Sequence, residues 1–168
     1  MIKEFYKDKA ILITGTTGFL GKVLLEKFFR SLPEFKRIYL LVRPKKGTKP
    51  MDRIKREILQ SPCFDAVRGM DEYENIINNK IIPIEGDITK ENMAINPKDR
   101  EMLVNDLDIV INCAASVDFN ERLCDAIQIN YFGCLRMYQL ASECKKIKVF
   151  CHVSTCYVNS EKRGFIKE

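Results

Sequence analysis

The chain has 168 residues, of which 46% are hydrophobic, and a formal net charge of +5, a composition typical of one globular domain with a sizeable core. Its charged first nine residues are unlike a signal peptide, and no apolar run approaches the roughly 20 residues of a membrane span. The seven cysteines form no CxxC pair, so small buried thiols in a reducing intracellular compartment are expected. With a single histidine, His152, no metal site is expected.

The N-terminal segment reads as strand, glycine turn and helix. Residues 10–14 are an apolar run typical of a buried parallel strand, and residues 19–31 have helical spacing. Between them Gly15 permits a sharp turn, Gly18 a close approach to a pyrophosphate and Gly21 close packing of helix on strand. A purely structural turn is the alternative, whereas the P-loop is excluded by the glycine spacing. The segment predicts a dinucleotide site formed by Thr14, Gly15, Thr17, Gly18, Phe19, Leu20 and Gly21.

The remaining elements alternate between strands and helices. This order predicts an α/β fold, a doubly wound parallel sheet (Rossmann fold) with helices on both faces and right-handed crossovers. No strand follows the fifth one, although such domains normally have six, so we expect residues 1–168 to be a single domain whose C-terminal part is missing. The predicted strands are 37–42, 80–85, 107–112 and 148–154, and the predicted helices are 52–60, one through the 70s, 97–104 and 122–144.

The end of the second strand indicates which nicotinamide cofactor is bound. An NAD site places Asp or Glu there, but residues 38–47 contain no acid and include Arg43, Lys45 and Lys46. Arg43 can bind a 2′-phosphate through a charge-assisted fork, although it can also be an ordinary surface arginine. A charged hydrogen bond worth about 1.5–3 kcal/mol gives roughly 10- to 150-fold preference. We predict NADPH as the cofactor, with Arg43 and Lys46 binding it.

Four segments carry a resemblance to a known family. They contain the glycine turn, a Leu-Val-Arg strand end, an Ala-Ala-x-Val-x-Phe-Asn-Glu run and a Val-Ser-Thr-x-Tyr run. The chain resembles the extended short-chain dehydrogenase/reductase family and, within it, the NAD-binding domain of fatty acyl-CoA reductases, the male sterility group. Carboxylic acid and thioester reductase domains share much of this pattern. The segments are residues 14–27, 38–43, 112–121 and 152–158.

The ends of the third and fourth strands provide further candidate cofactor contacts. The resemblance implies that Asp87 and Ile88 bracket the adenine, whereas an aspartate after a glycine turn is also a common helix cap. Small residues at the end of the fourth strand let the backbone pass beneath the adenosine and ribose, or simply pack against a helix. The candidates at this strand end are Asn112, Ala114 and Ala115.

Candidate catalytic residues follow from the same resemblance. Asn130 lies mid-helix among apolar residues, an awkward place for an unpaired amide. Family members use this asparagine to hold the active-site lysine, and a simple buried hydrogen-bonding role is the alternative. Thr155 is expected to hydrogen-bond the substrate carbonyl and stabilise developing alkoxide charge, with neighbouring Ser154 the less favoured hydroxyl. We expect His152 to be a core residue rather than a catalyst.

The sequence departs from the family at the catalytic acid. The family uses the tyrosine of a Tyr-x-x-x-Lys motif, and none of the six tyrosines here has a lysine four residues later. The proton donor is therefore expected beyond residue 168. As written, the chain is expected to bind the cofactor without catalysing the reaction.

The resemblance implies a function for the longer protein. It is NADPH-dependent reduction of long-chain fatty acyl-CoA to an aldehyde or alcohol, with this chain as the cofactor-binding half. Alternatives are a non-catalytic NADP(H)-binding or sensor domain and a reductase for carrier-bound acyl thioesters. The basic run 43–56 is a candidate contact for CoA phosphates and lacks the aromatics of a nucleic-acid patch. Membrane association, at a cytoplasmic or peroxisomal face, is expected only through segments outside this chain.

Overall fold

A parallel five-stranded sheet forms the centre of the fold. The computed structural model describes residues 1–167, and the strand order in this part of the chain is β3-β2-β1-β4-β5. All four neighbouring pairs are parallel, which confirms the predicted doubly wound α/β fold. The strands are β1 (Ala10–Thr14), β2 (Arg37–Val42), β3 (Ile81–Glu85), β4 (Ile109–Asn112) and β5 (Val149–His152).

Helices connect these strands and cover both faces of the sheet. The short N-terminal helix α1 was not predicted, and no helix in residues 1–167 has the length and apolar character that crossing a bilayer requires. A π-helical stretch, Lys55–Leu59, continues α3, and a second, Ile127–Gly133, joins α7 to α8. The α-helices are α1 (Ile2–Tyr6), α2 (Phe19–Ser31), α3 (Pro50–Ile54), α4 (Asp65–Arg68), α5 (Tyr73–Asn79), α6 (Pro97–Asp106), α7 (Leu123–Ala126) and α8 (Cys134–Glu143).

The core has two layers, one on each face of the sheet. Successive side chains of a strand point to opposite faces, so Ile11 and Ile13 of β1 pack with α2 to α5, whereas Ala10 and Leu12 pack with α6 and α8. All five residues of β1 are buried because the strand is central and covered on both sides. The first layer is rich in aromatic rings, which pack edge to face at Phe28–Phe35 and Phe29–Phe64.

The two edges of the sheet explain why a proline is tolerated in one strand and why the histidine of another is exposed. β3 is one edge, where Pro83 is tolerated because an edge strand leaves some N–H positions unpaired. β5 is the other edge, and three of its four residues are exposed. The expectation that His152 is a core residue is therefore wrong, since its side chain is exposed.

The cysteines are also less buried than expected. All seven are free thiols. Only Cys144 is buried, whereas Cys124, Cys151 and Cys156 are exposed. The prediction of small buried thiols is therefore wrong for these three, because α7, the edge strand β5 and the segment after it lie at the surface of the described chain.

A buried tyrosine ties the end of α6 to the start of β2. The hydroxyl of Tyr39, a fully buried residue, donates to Asp106 Oδ2 at 2.9 Å, Lys36 also donates to Asp106, and Arg37 Nε lies 3.4 Å from Oδ2. Burial raises the pKa of the Asp106 carboxyl, but these donors and positive charges outweigh it, so the pKa lies below its ordinary value. Burial and the hydrogen bond to Asp106 raise the pKa of Tyr39 to about 12.

Replacing Asp106→Asn is expected to lower the free energy of unfolding by about 1–2 kcal/mol at pH 7, since Tyr39 and Lys36 lose a charged acceptor that is partly screened by solvent. Because the folded pKa of Asp106 is lowered, its contribution is complete above the unfolded value of about 3.9. The contribution is lost as the pH falls through the folded pKa. Urea unfolding at pH 7 and pH 3 checks this.

The exposed Asp71 provides the control, and Asp71→Asn is expected to leave the free energy of unfolding unchanged at both pH values. An Asp106→Asn destabilisation of equal size at pH 7 and pH 3 would contradict the assignment to a charged carboxylate.

Candidate functional site

A cleft of about 510 Å³ opens beyond the carboxyl ends of the central strands. It lies where the strand order changes direction between β1 and β4, the position at which open α/β sheets bind ligands. Predicted site residues that line it are Thr14, Gly15, Thr17, Gly18, Arg43, Asp87, Ile88, Ala114 and Ala115. The structure thus brings together the ends of β1, β2, β3 and β4, which are far apart in the sequence.

The glycine turn packs directly against backbone. Gly15 has φ +74°, and a Cβ placed on it would lie 2.8 Å from the carbonyl carbon of Cys113 and 2.9 Å from the nitrogen of Ala114. A Cβ on Gly21 would lie 2.7 Å from the carbonyl carbon of Gly15 and from Cα of Thr16. Neither position accepts a side chain without a shift of the backbone, so the tight packing of the turn requires glycine at both positions.

The N-terminus of α2 opens beside this turn. Gly18 is the N-cap of α2 and has no side chain that could accept hydrogen bonds from the first amides of the helix, so these amides suit phosphate oxygens. Phe19 and Leu20 are 85% and 49% exposed, respectively, and their side chains do not line the cleft. Their contact with the cofactor stays a prediction. Gly21 is buried beneath the turn and packs instead of lining the cleft.

One hydroxyl joins the ends of β1 and β4. Thr14 Oγ1 donates to Asn112 Oδ1 at 2.7 Å and accepts from the nitrogens of Cys113 at 3.1 Å and Ala114 at 3.0 Å. This arrangement directs Asn112 Nδ2 to Nδ1 of His152, 3.2 Å away. Asn112 is 1% exposed and does not line the cleft. It positions Thr14 through their shared hydrogen bond, and a contact with the cofactor stays a prediction.

The segment after β3 forms the end of the cleft where the adenine is expected. Asp87 Oδ1 accepts from the nitrogen of Thr89 at 2.9 Å and from its hydroxyl at 2.8 Å, which closes a turn and does not cap a helix. A Cβ on Gly86 would lie 2.8 Å from Leu41 Cδ1 and 2.9 Å from a backbone oxygen. Close packing therefore fixes the path of the chain into Asp87 and Ile88.

Two arginines line the other side of this end. Arg43 is exposed just after β2. Arg53 of α3 donates to the backbone oxygen of Arg43 at 2.6 Å and to Glu57 Oε2 at 3.0 Å. Burial raises the pKa of Glu57, but the hydrogen bond from Arg53 and the positive charges of Arg53 and Lys45 outweigh burial. The pKa of Glu57 therefore lies below its ordinary value. Lys45 Nζ lies 3.6 Å from Glu57. Lys46 is exposed and lies outside the cleft lining, and its contact with the cofactor stays a prediction.

Asn130 clasps the loop that follows β4. Its Oδ1 accepts from the nitrogen of Ser116 at 2.8 Å, and its Nδ2 donates to the oxygen of Ser116 at 3.1 Å. Ser116 itself lines the cleft. Asn130 is exposed, so the alternative of a buried hydrogen-bonding residue is wrong, and its partner is loop backbone. Its role toward an active-site lysine stays a prediction.

The two predicted catalytic hydroxyls lie outside the cleft lining. Ser154 and Thr155 are exposed after β5. Thr155 Oγ1 accepts from the nitrogen of Tyr157 at 3.1 Å and caps the 3₁₀ turn Cys156–Asn159. That contact orients the hydroxyl group, and its role toward a substrate carbonyl stays a prediction.

Several lining residues were not predicted, and Glu121 is the most informative. Its Oε2 is buried and, within residues 1–167, has no hydrogen-bond partner, so it suits a hydroxyl donor of a ligand. The glycine turn, the arginines Arg43 and Arg53 and the Glu121 carboxylate together suit a ligand that carries both phosphates and hydroxyls. Some of the unpredicted lining residues lie in the segments that resemble the family or in the basic run 43–56, but no sequence signal singled out any of them as a site residue. They are Leu41, Val42, Arg53, Gly86, Thr89, Cys113, Ser116, Val117, Asp118, Glu121 and Ile129.

Replacing Thr14→Val is expected to lower the free energy of unfolding by about 2–3 kcal/mol, because Asn112 and two backbone amides lose their partner. The matched variant Thr14→Ser keeps the hydroxyl and loses one methyl group, which costs about 0.8 kcal/mol. Urea denaturation of the three proteins measures the difference. Equal destabilisation by valine and serine would show that the hydroxyl network is not what joins the strand ends.

Comparison with known proteins identifies the family. A family model described as "Male sterility protein", a model of NAD-binding domains, matches residues 13–168. The chain is 44% identical over 162 residues to fatty acyl-CoA reductase 1 of Xenopus laevis, an alignment that covers 96% of this chain and 31% of that protein. The chain thus spans about a third of the length of this curated relative.

Solved structures show the same fold. The terminal R domain of the myxalamid PKS-NRPS pathway has a TM-score of 0.71 at 30% identity, covering 90% of this chain and 36% of that one. A thiolation-reductase di-domain of an archaeal non-ribosomal peptide synthetase has a TM-score of 0.68 at 30% identity, covering 92% and 29%. Together with the family match over nearly the whole chain, these similarities show that the chain belongs to the male sterility family of NAD-binding domains.

Proposed function

We propose that this chain is the NADPH-binding part of a fatty acyl-CoA reductase. The observation that carries the proposal is the cleft, in which a glycine turn and a helix N-terminus lie on one side and Arg43 and Arg53 on another. The name of the Xenopus relative, 44% identical to this chain, supports acyl-CoA as the substrate. The activity itself belongs to a protein longer than the residues described.

Each part of the cleft has a distinct role toward the dinucleotide. The glycine turn and the first amides of α2 hold the pyrophosphate. Asp87 and Ile88 bracket the adenine. Arg43 binds the 2′-phosphate, and Arg53 fixes the backbone at Arg43 through its 2.6 Å hydrogen bond. NADPH, when bound, supplies the hydride.

The charge at the end of β2 favours NADPH over NADH. No acid occurs in residues 38–47 to accept from a ribose 2′-hydroxyl, whereas Arg43 and Arg53 both line the cleft. A planar guanidinium matches phosphate geometry through paired hydrogen bonds. Lys46 contributes only long-range charge, since its side chain lies outside the cleft.

The reaction is reduction of an acyl thioester. Thr155 donates its hydroxyl hydrogen to the thioester carbonyl oxygen, where negative charge develops. The products are an aldehyde and CoA, and a second reduction gives a fatty alcohol. The Tyr-x-x-x-Lys acid of the resembling family is not present in residues 1–168, so these residues do not supply that proton donor.

A second candidate substrate is an acyl chain bound to a carrier domain. It is favoured by the similarity to a thiolation-reductase di-domain, which at 30% identity has a TM-score of 0.68. The two candidates share the hydride transfer and differ in the thiol that leaves, so the leaving group discriminates between them.

Calorimetric titration with NADPH and NADH tests the role of Arg43. The wild-type chain is expected to bind NADPH more tightly, and Arg43→Ala to lose roughly 10- to 150-fold in NADPH affinity, because a charged hydrogen bond worth about 1.5–3 kcal/mol is removed. The affinity for NADH should change little, since NADH has no 2′-phosphate.

Lys46→Ala is the matched control, a cation three residues away that does not line the cleft. It is expected to change NADPH affinity by less than about threefold. Equal losses in the two variants would point to general charge rather than to a specific contact by Arg43.

The substrate is tested in a protein that carries this chain at the length of its relatives. NADPH oxidation is expected with long-chain acyl-CoA and not with the corresponding free acid. Thr155→Val is expected to lower kcat by about 100-fold or more, the cost of removing one oxyanion donor, whereas Thr155→Ser keeps most of it. Faster turnover of acyl chains on a carrier domain than on CoA would favour the second candidate.

A further inference from the structure

The helical segment from α7 to α8 contacts the adenine end of the cleft at one residue, Ile88. Arg136 Nη1 donates to the backbone oxygen of Ile88 at 3.0 Å. A Cβ on Gly133 would lie 2.8 Å from Ile88 Cδ1 and 3.1 Å from Cγ1. Both the backbone and the side chain of Ile88 are therefore held by one turn of this helical segment.

Arg136 is itself held in place for this contact. Its Nη2 donates to Gln128 Oε1 at 3.4 Å, and its guanidinium lies 5.7 Å from the centre of the Phe132 ring, within the range of a cation–π interaction. Both partners lie in the π-helical stretch Ile127–Gly133. A guanidinium with two fixed neighbours loses less side-chain freedom when it makes a third contact.

The segment after β3 has hydrogen bonds of its own, between Thr89 and Asp87 and between Asp87 and a neighbouring turn. The nitrogen of Asp87 donates to the oxygen of Met93 at 2.7 Å, and Met93 lies in a turn where Asn92, Met93 and Ala94 all have positive φ, between 47° and 56°. Left-handed backbone at three successive non-glycine residues is strained. The Arg136 contact is a second, independent restraint on the residues that line the cleft.

We propose that Arg136 is a positioning residue for the adenine end of the cofactor site and acts through the backbone of Ile88. The inference rests on the proposed function in so far as it assumes a dinucleotide in the cleft. Arg136 does not line the cleft, and its hydrogen bond to a cleft-lining residue is the one to Ile88. The same helical segment holds the other end of the cleft through Asn130 and Ser116.

The test uses two ligands, NADPH and adenosine 2′,5′-bisphosphate, which contains only the adenine half. In calorimetric titrations Arg136→Met is expected to weaken both by the same factor, about tenfold. Arg136→Lys keeps a cation that can reach the Ile88 oxygen and should recover part of the loss. Gly133→Ala, which pushes on the Ile88 side chain, should also weaken both ligands.

Arg100→Met is the matched control. Arg100 pairs with Glu143 at 2.7 Å and lines, together with Arg136, a separate cavity of about 250 Å³, but it is not bonded to Ile88. Its replacement is expected to leave both affinities within about twofold. In the ligand-free chain, hydrogen exchange of residues 86–90 should accelerate in Arg136→Met and not in Arg100→Met, with residues 14–21 unchanged in both.

Three results would overturn the proposal. One is unchanged affinity for both ligands in Arg136→Met, and another is a loss for NADPH without a loss for the bisphosphate. The third is an equal loss in Arg100→Met, which would indicate general destabilisation. If the wild-type chain binds neither ligand, the proposed function fails and this inference with it; if the wild type binds both and Arg136→Met binds them equally well, only the positioning role fails.

Discussion

The cleft depends on the contact between the ends of β1 and β4, where the glycine turn packs on bare backbone. Gly15 leaves no room for a Cβ against Cys113, and the hydroxyl of Thr14 bridges to Asn112 and to two backbone amides beyond it. Because β1 and β4 are neighbours in a parallel sheet, the segments that follow them both leave the sheet at the carboxyl ends of the strands. The space between their exits is where the phosphates are proposed to lie.

A second constraint comes from the layer of the core that contains α6 and α8. α8 buries Met137 and Leu140 against the sheet, which fixes the helix and with it the π-helical stretch that precedes it. From this position Asn130 holds the loop after β4 and Arg136 holds the segment after β3. A π-helical turn holds more residues than an α-helical turn and often marks a functional position. Here the stretch contains Asn130 and ends shortly before Arg136. The packing of one helix therefore bears on both ends of the cleft.

The agreement between sequence and structure is uneven, and the pattern has a physical cause. The strand positions were predictable because each is a short apolar run bounded by polar or turn residues. Burial of single residues was not, since it depends on which strand lies at an edge. His152 lies in a strand of ordinary character, yet it is exposed because β5 is an edge of the described sheet. Asn130 was expected among buried residues and instead bonds to the backbone of Ser116 at the surface.

The sequence by itself determined the parallel α/β fold, the glycine turn and the absence of an acid after β2, because these are properties of neighbouring residues. The tertiary structure alone decided which side chains meet. Arg53 reaches the cleft ten residues after Arg43, Glu121 presents there an oxygen with no partner among the described residues, and Lys46 lies outside the cleft. These outcomes depend on how loops and helices pack across the sheet, and local periodicity carries no information about contacts between residues far apart in the chain.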